Sequence, residues 1–549
     1  MSRFQPKLFV ALAGYSRADL FADLAAGLTV GVLALPLSMA FAIASGASPA
    51  AGIWTAIVAG LLISVLGGSR VQIGGPTGAF IPILYGIVVN YGMSNMLAAT
   101  FLAGVLLLVM GITRLGSLIR FVPVSVVIGF TNGIALVLIL SQIPDFLGLT
   151  STSALPAEFF ARMRALWQIA PTASLPAAAL ALGTLLLILA WTKYAVRHRI
   201  AMRVPAQLAG LVLGTLASAL LQLPVETIGS RFNGIPQGVP ALSFPLPDLS
   251  AIGGLLAPAI TIALLGAIES LLSARVVDPQ IDDRHDPNQE LMAQGIANIA
   301  TPFFGGIAAT GAIARTSTNV RAGARTPVAG IVHSVTLLGI VLVAAPLAAW
   351  VPIPVLAAIV VVTAIRMAEW HEFSRLRHFS WNYRIILLAT FGLTVLFDLT
   401  VAVEVGMVLA SLFFIYRMQD LTTATPLVMD AEADAGARGF ALRGSLFFGA
   451  IGKLDAQIDP AVLGARVLVL DLDGVLNIDT SGVDWLFGVL RAQSRQGGHL
   501  VLCGARHQPS SLLQRAGFVV MLGHANLCAD LDAARARARA LADAPARGD

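Results

Sequence analysis

The chain has 549 residues, 57% of them apolar and 12% charged, with a net charge of +5 and a mean hydropathy of +0.82. That charged share is about half the roughly 25% found in soluble domains, so the composition excludes an ordinary water-soluble fold and places most of the chain in a lipid bilayer.

From the N-terminus, Met1–Asp23 is polar, and the apolar run after it continues into a second pass, so no cleavable leader is expected. Uncharged stretches follow at Leu24–Ser69, Val71–Thr113, Phe121–Pro144, Leu166–Thr192, Pro205–Val225, Leu249–Ile268, Thr326–Ile365, Ile385–Phe397 and Val405–Tyr416. A spanning helix takes roughly 20 residues, so the longer stretches hold two passes each, split at turns such as Ser48-Pro49 and Val351-Pro352-Ile353-Pro354. With short and broken segments included, about fourteen passes fit an α-helical polytopic membrane protein.

The basic residues agree with this count. With the N-terminus inside, the inner side receives nineteen of them, among them Arg3, Arg17, Arg70, Arg114, Arg120, Arg199, Arg203, Arg275, Arg325 and Arg417. The outer side receives only Arg162, Arg164 and Arg231, as the positive-inside rule requires. Both termini are expected in the cytoplasm. Asp398 and Glu404, near the join of the last two passes, are expected at the outer surface or against a second helix group, with no coupling role. Met367–Tyr383 alternates charged and aromatic residues and predicts an amphipathic helix at the inner surface.

Two apolar segments are too interrupted to cross as ordinary helices. Ile73–Leu84 (IGGPTGAFIPIL) is broken by Gly75, Pro76 and Gly78, and Gly305–Asn319 (GGIAATGAIARTSTN) carries Arg315 among Gly, Thr and Ser. A cation at mid-bilayer costs roughly 2.5–3.5 kcal/mol on insertion scales unless it meets a partner or a wet cavity. Paired broken helices in the two halves of a transporter offer unpaired N–H groups to an anion at mid-depth. The pattern therefore predicts an anion transporter whose binding residues are Gly75, Pro76, Thr77, Gly78 and Ala79 with Thr310, Gly311, Ala312, Ile313, Ala314 and Arg315. The plainer alternative is that the small residues only let helices pack closely.

Glu269, in PAITIALLGAIESLLSAR, lies six residues before Arg275. Buried there, a carboxylic acid can take and release a proton near neutral pH, which fits proton coupling. A permanently neutral glutamic acid, or an ion pair with Arg315, are the alternatives.

After Arg417 the chain changes character. The charge balance is +7 up to that point and −2 beyond it. Asp420–Ala437 reads as a polar linker within 419–437. Then ARVLVLDLDG, VDWLFGVLRAQSRQ, HLVLCG and SSLLQRAGF alternate strand and helix, which predicts a small α/β domain over 438–545. Cys503 and Cys528 both fall in this domain, facing the reducing cytoplasm, and are expected as thiols. No P-loop, HExxH or GxSxG context occurs, so no enzyme, cofactor, metal or nucleic-acid partner is expected.

Three motifs in order resemble one known family. LPLSMAFAIASGASPAAGIWTAIVAGLLISVLGGSRVQIGGPTGAF is similar to the first three helices of the SulP sulfate-permease family, FGGIAATGAIARTSTNVRAGARTPVAG to its tenth, and VLVLDLDGVLNIDTSG to its C-terminal STAS domain. GAIES at Gly266–Ser270 and AIARTSTNVRAG at Ala312–Gly323 resemble most the bacterial C4-dicarboxylate-transporting branch. The resemblance implies a seven-plus-seven inverted repeat over about 18–224 and 250–418, within a transport domain of 1–418, and core and gate domains that move like an elevator. It also implies a homodimer in the bacterial inner membrane. Its implied substrates are a C4-dicarboxylate such as fumarate, succinate or aspartate with protons, or alternatively sulfate or bicarbonate. An uncoupled anion channel or regulator stays open as a further alternative. Phe41 matches a cavity-lining position, a core aromatic in an apolar helix being the other reading, with Ser38 a weaker candidate beside it. Sodium-coupled relatives carry an Asp where Glu269 stands and a hydroxyl residue where Ile313 stands. Ile313 offers no oxygen to a hard cation, which leaves Ser273 to keep the sodium reading open. Asp479-Thr480-Ser481-Gly482 is similar to a phosphorylated turn of anti-sigma-factor antagonists, which makes Thr480 a regulatory candidate facing a cytoplasmic partner; a helix cap is the other reading.

Overall fold

The computed structural model describes residues 4–117, 122–151, 154–197, 204–236, 238–242, 252–397, 399–429, 436–458 and 465–543. Arg3, Arg120, Arg199, Arg203 and Asp398 lie outside these residues. The chain divides into two compact units, Met1–Met407 and Val408–Asp549.

Among the described residues fourteen helical segments can be arranged in two series of seven; nine helices are long and apolar enough to cross a membrane, and three shorter ones are apolar. The first series is α1 (Arg17–Ala44), α2 (Pro49–Leu66), α3 (Ile81–Tyr91), α4 (Met93–Ile112), α5 (Val124–Leu147), α6 (Leu175–Arg197) and α7 (Ala206–Leu220). The second is α8 (Ile252–Ile281), α9 (Pro287–Ala300), α10 (Ile313–Arg321), α11 (Val328–Ala348), α12 (Ile353–Met367), α13 (Trp381–Leu396) and α14 (Leu399–Leu421). The third member of each series is short and follows a two-residue strand, β1 (Gly74–Gly75) before α3 and β2 (Thr310–Gly311) before α10.

Local sequence sets the starts of these helices. Ser16 caps α1 in a reciprocal box with Asp19; Ser48 caps α2 ahead of Pro49; Asp286 accepts from the Asn288 and Gln289 amides ahead of Pro287 at the start of α9. Small residues then set how closely helices approach. A Cβ on Gly104 of α4 would lie 2.6 Å from the Ile299 amide nitrogen, and one on Gly295 of α9 would lie 2.5 Å from the Leu108 amide nitrogen, so the two backbones touch through glycine. By packing, α1–α4 and α8–α11 form one helix group, and α5, α6, α7, α12 and α13 the other; α1 also reaches α7 and α12.

Two expectations need correction. Met367–Tyr383 is not one amphipathic helix: a six-residue helix, Trp370–Arg375, gives way to a 3-10 turn at Leu376–His378 and a fresh start capped by Ser380. The segment 419–437 is not wholly linker either. α14 runs through Leu421, and Thr423–Pro426 forms β3, antiparallel to β4 (Ala437–Leu446). Alternating Thr and Ala with a terminal Pro suits an edge strand, which composition had disguised as polar linker.

The second unit continues with β5 (Val467–Ile478), α15 (Thr480–Arg495), β6 (His499–Cys503), α16 (His507–Arg515), β7 (Leu527–Cys528) and α17 (Leu531–Ala542). The sheet order is β3-β4-β5-β6-β7, parallel except for β3. Leu468, Leu470 and Leu472 of β5 and Leu500 and Leu502 of β6 are fully or almost fully buried against Leu486 and Phe518, in the near-continuous apolar pattern of a doubly covered parallel strand. Cys503 and Cys528 are free thiols, in register across β6 and β7.

Candidate functional site

The two broken segments meet. β1 and β2 pair antiparallel, Gly74 opposite Gly311 and Gly75 opposite Thr310, and the Ala312 amide donates to the Ile73 carbonyl at 2.9 Å. Pro76 has no N–H to extend the ladder, so the first segment turns into a 3-10 turn, Gly78–Phe80, and then α3; the second turns directly into α10. Thr77 and Ala312 stand at the cap positions, and neither start has a side-chain cap. Two helix N-termini thus present first-turn amides at one buried place, the arrangement that binds anions.

Arg315, in the first turn of α10, is 2% exposed. Its Nη2 donates to the Pro76 carbonyl across the two halves, while Nη1 has no partner. Gly75 makes room for it. At φ +149° the backbone is one that glycine tolerates, and a Cβ there would lie 2.5 Å from Nη1.

One face of α8 closes the site. Thr310 Oγ1 donates to the Gly266 carbonyl (2.9 Å), Thr77 Oγ1 to Glu269 Oε2 (2.9 Å), and Ser273 Oγ to Thr316 Oγ1 (3.2 Å), which also accepts from the Ile73 amide (3.1 Å). Positions 266, 269 and 273 follow helical spacing, so α8 holds both breaks at once. Glu269 therefore bonds Thr77; among the described ion pairs none joins it to Arg315, although the two charges lie within electrostatic reach.

The remaining candidates fall around this centre. Phe41 is buried, with its ring edge 3.8 Å from where a Gly78 Cβ would stand, so it lines the first break beside buried Ala79. Ser38 is fully buried where α1 crosses α2 at Gly52, its hydroxyl without a partner. Gly311 packs on the Gln72 side chain, Ala312 is buried, Ile313 is partly exposed and Ala314 exposed. Thr480 sits far along the chain in the second unit, exposed at the start of α15, where Asp479 caps the helix by accepting from the Gly482 amide at 2.8 Å. Glu404 is exposed.

Sequence reasoning missed a polar stripe on α9. Glu290, fully buried, accepts from the Gly68 amide (2.9 Å), Gln72 Nε2 (3.0 Å) and Gln294 Nε2 (2.8 Å). Asn298 exchanges two hydrogen bonds with the backbone of Ala309, at 2.7 and 2.8 Å. Glu290, Gln294 and Asn298 recur every four residues, a signal that was visible in NQELMAQGIANI, and they brace both breaks from behind. His333 on α11, also fully buried, was overlooked as well.

A cavity of about 930 Å³ lies between α8 and α5, lined by Ile268, Leu271, Arg275, Val124 and Val127, and reaches the residue preceding Glu269. On α3, about one turn past its start, the Arg162 guanidinium covers the Tyr85 ring 4.9 Å from its centroid, and the Tyr85 hydroxyl donates to the Leu155 carbonyl at 2.9 Å.

A family model described as the sulfate permease family matches residues 20–390, and one for the STAS domain matches 429–534. The chain belongs to the sulfate permease family. Residues 429–534, within its second unit, are the family's STAS domain, and this family member is a multi-pass membrane transporter rather than an enzyme. It is 41% identical over 517 residues to YvdB of Bacillus subtilis (strain 168), provisionally named a sulfate transporter, covering 93% of this chain and 96% of that one. It is 30% identical to the bicarbonate transporter BicA of Synechocystis sp., over 90% of each chain. The fold matches the solved structure of SLC26A9 with a TM-score of 0.85 at 19% identity, over 98% of this chain and 93% of that one.

Proposed function

We propose that this protein is a secondary active transporter of a small inorganic oxyanion, sulfate or bicarbonate, in symport with protons. The observation that carries the reading is Arg315, buried with one free Nη1 between two uncapped helix N-termini. An anion seated there completes the guanidinium's hydrogen bonding and takes the first-turn amides, and a bidentate guanidinium suits two oxygens of one oxyanion. The choice of anion follows the names of the relatives, YvdB and BicA. The C4-dicarboxylate reading drawn from GAIES and AIARTSTNVRAG gives way to them, since neither name carries it.

Glu269, held by Thr77 beside the anion site, is the proton carrier in this reading, neutralising one charge as the loaded site moves. Ile313 supplies no oxygen at the mouth of the site, and Ser273 is engaged with Thr316, which favours protons over sodium. With the arginine-rich loops in the cytoplasm of a bacterial inner membrane, the cavity beside Ile268 opens inward and the Tyr85–Arg162 stack closes the outer side. The anion-bearing helix group then slides against the other in an elevator-like step, in what the family resemblance makes a homodimer.

Uptake by proteoliposomes under an imposed pH gradient tests this. Labelled sulfate or bicarbonate should accumulate and succinate should compete weakly. Glu269→Gln should abolish gradient-driven accumulation while keeping anion binding. Accumulation of succinate with no competition from sulfate or bicarbonate would reverse the substrate assignment, and gradient-independent leak would exclude coupled transport.

A further inference from the structure

His333 is a titratable side chain that the anion site, as described so far, does not use. It stands on α11, 0% exposed, where α1 and α2 pack against that helix. Neither ring nitrogen makes a hydrogen bond of ordinary geometry, although the Val30 backbone of α1 is close by. Buried polar groups are almost always paired, so an imidazole left with no more than a poor contact to the Val30 backbone calls for a reason.

Its surroundings point to one. A Cβ on Gly60 of α2 would lie 2.8 Å from Ser334 Oγ, 3.3 Å from His333 Cδ2 and 3.4 Å from the Gly74 carbonyl oxygen, so the bare Gly60 backbone lets the ring and β1 come close together. Arg315, whose Nη1 sits against Gly75, is within electrostatic reach of the ring. Other charges are far or occupied. α2 has no ionisable residue, and α11 has none besides His333. α12 has only Arg366, at its far end. On α1 the ionisable residues are Arg17, Asp19 and Asp23, about two turns or more before Val30. Asp23 is already bonded to Thr326 and to the Arg325 amide. On α10, Arg321 stands at the opposite end from Arg315.

We propose that His333 is a second proton-carrying residue of the anion site, neutral while the Arg315 charge is uncompensated and protonated when an anion occupies the guanidinium. This rests on the anion-site reading above. Burial opposes a charged imidazole first, and the unpaired arginine adds to that; a bound anion removes the arginine's share and brings a counter-charge close to the ring. The step is a plain proton transfer: a ring nitrogen lone pair takes H⁺ from water and returns it when the anion leaves. Binding and protonation then favour each other, as linkage demands.

The full-length protein in weakly buffered detergent, with a pH-sensitive dye reporting proton uptake on addition of sulfate or bicarbonate, tests the proposal. Wild type should take up protons as it binds, and its affinity should rise severalfold, up to about tenfold per pH unit for each linked proton, as pH falls from 8 to 6. Glu269→Gln should retain part of the anion-linked proton uptake, and Glu269→Gln/His333→Gln should lose it. His333→Gln alone should flatten the pH dependence of affinity. The proposal is overturned if Glu269→Gln removes all the linked proton uptake, a result that stands even if no His333 variant folds. It is overturned equally if His333→Gln folds and leaves the pH dependence unchanged. Wild type that binds neither anion overturns the anion-site reading and this inference with it; binding followed by either null result overturns this inference alone.

Discussion

The first and second breaks are built alike and charged differently. Each is a two-residue strand that turns into a short helix with an uncapped start. The first contributes glycine, a proline carbonyl and Thr77, all neutral; the second contributes Arg315, which reaches back across the pair to the Pro76 carbonyl. The two helix starts converge, and a cation stands at only one of them, which is the asymmetry on which the proposed anion site rests. Neither half makes a site alone.

The sharpest way to break this asymmetry is to remove its cation. Arg315→Ala should weaken anion binding by at least about 100-fold, since a charge-assisted bidentate contact is worth roughly 3 kcal/mol, and equilibrium binding measures it. Arg315→Lys should recover little, because a lysine lacks the planar fork. Binding that survives Arg315→Ala would hand the site to the helix ends alone.

Next comes the neutral break. Gly75→Ala puts a Cβ 2.5 Å from Nη1 and forces a side chain onto a positive φ, which costs on the order of 1–3 kcal/mol. Uptake should fall about tenfold or more. Gly339→Ala, with nothing within 4 Å of its Cβ, is the control that should transport normally.

A smaller effect belongs to Thr77. Thr77→Val removes the hydrogen bond to Glu269, worth about 1 kcal/mol, so the half-saturating anion concentration should move about fivefold, together with the pH profile of uptake. Were the pH profile unmoved, Thr77 would be a packing residue only.

The least effect is expected in the STAS domain. There, burial and the Asp471 carboxylate push the Cys503 thiol up to about 12, and burial also raises Cys528. A thiol raised above its ordinary value stays protonated in the folded domain as pH rises past 9, while the unfolded chain ionises. Alkylation of Cys503 at pH 8 should therefore be slow in the native protein and fast after denaturation, and the folded state should lose stability above pH 9. Rapid native labelling would show the β6–β7 edge to be open.

Much of this was legible along the chain. Hydropathy and turn residues marked the crossings, because a helix in lipid satisfies its own backbone and needs only about 20 apolar residues in a row. Gly75-Pro76-Thr77-Gly78 and Arg315 marked both breaks as exceptions to that rule. The α9 stripe was written just as plainly, at every fourth residue from Glu290, yet it was passed over because its partners, Gly68, Gln72 and Ala309, lie in other segments. β3 was hidden for a similar reason, since an edge strand gains its structure from β4 and not from its own composition.

The sequence by itself determined what is local: a membrane-embedded chain of about fourteen passes, two interrupted helices, one buried cation and a terminal α/β domain. Only the tertiary structure decided which groups meet. The pairing of Gly75 with Thr310, the bond from Arg315 to the Pro76 carbonyl and the attachment of Glu269 to Thr77 join residues from opposite halves of the chain. Periodicity reports which face of a helix is apolar, but it carries no information about which distant backbone will lie against that face, and that choice is made by packing.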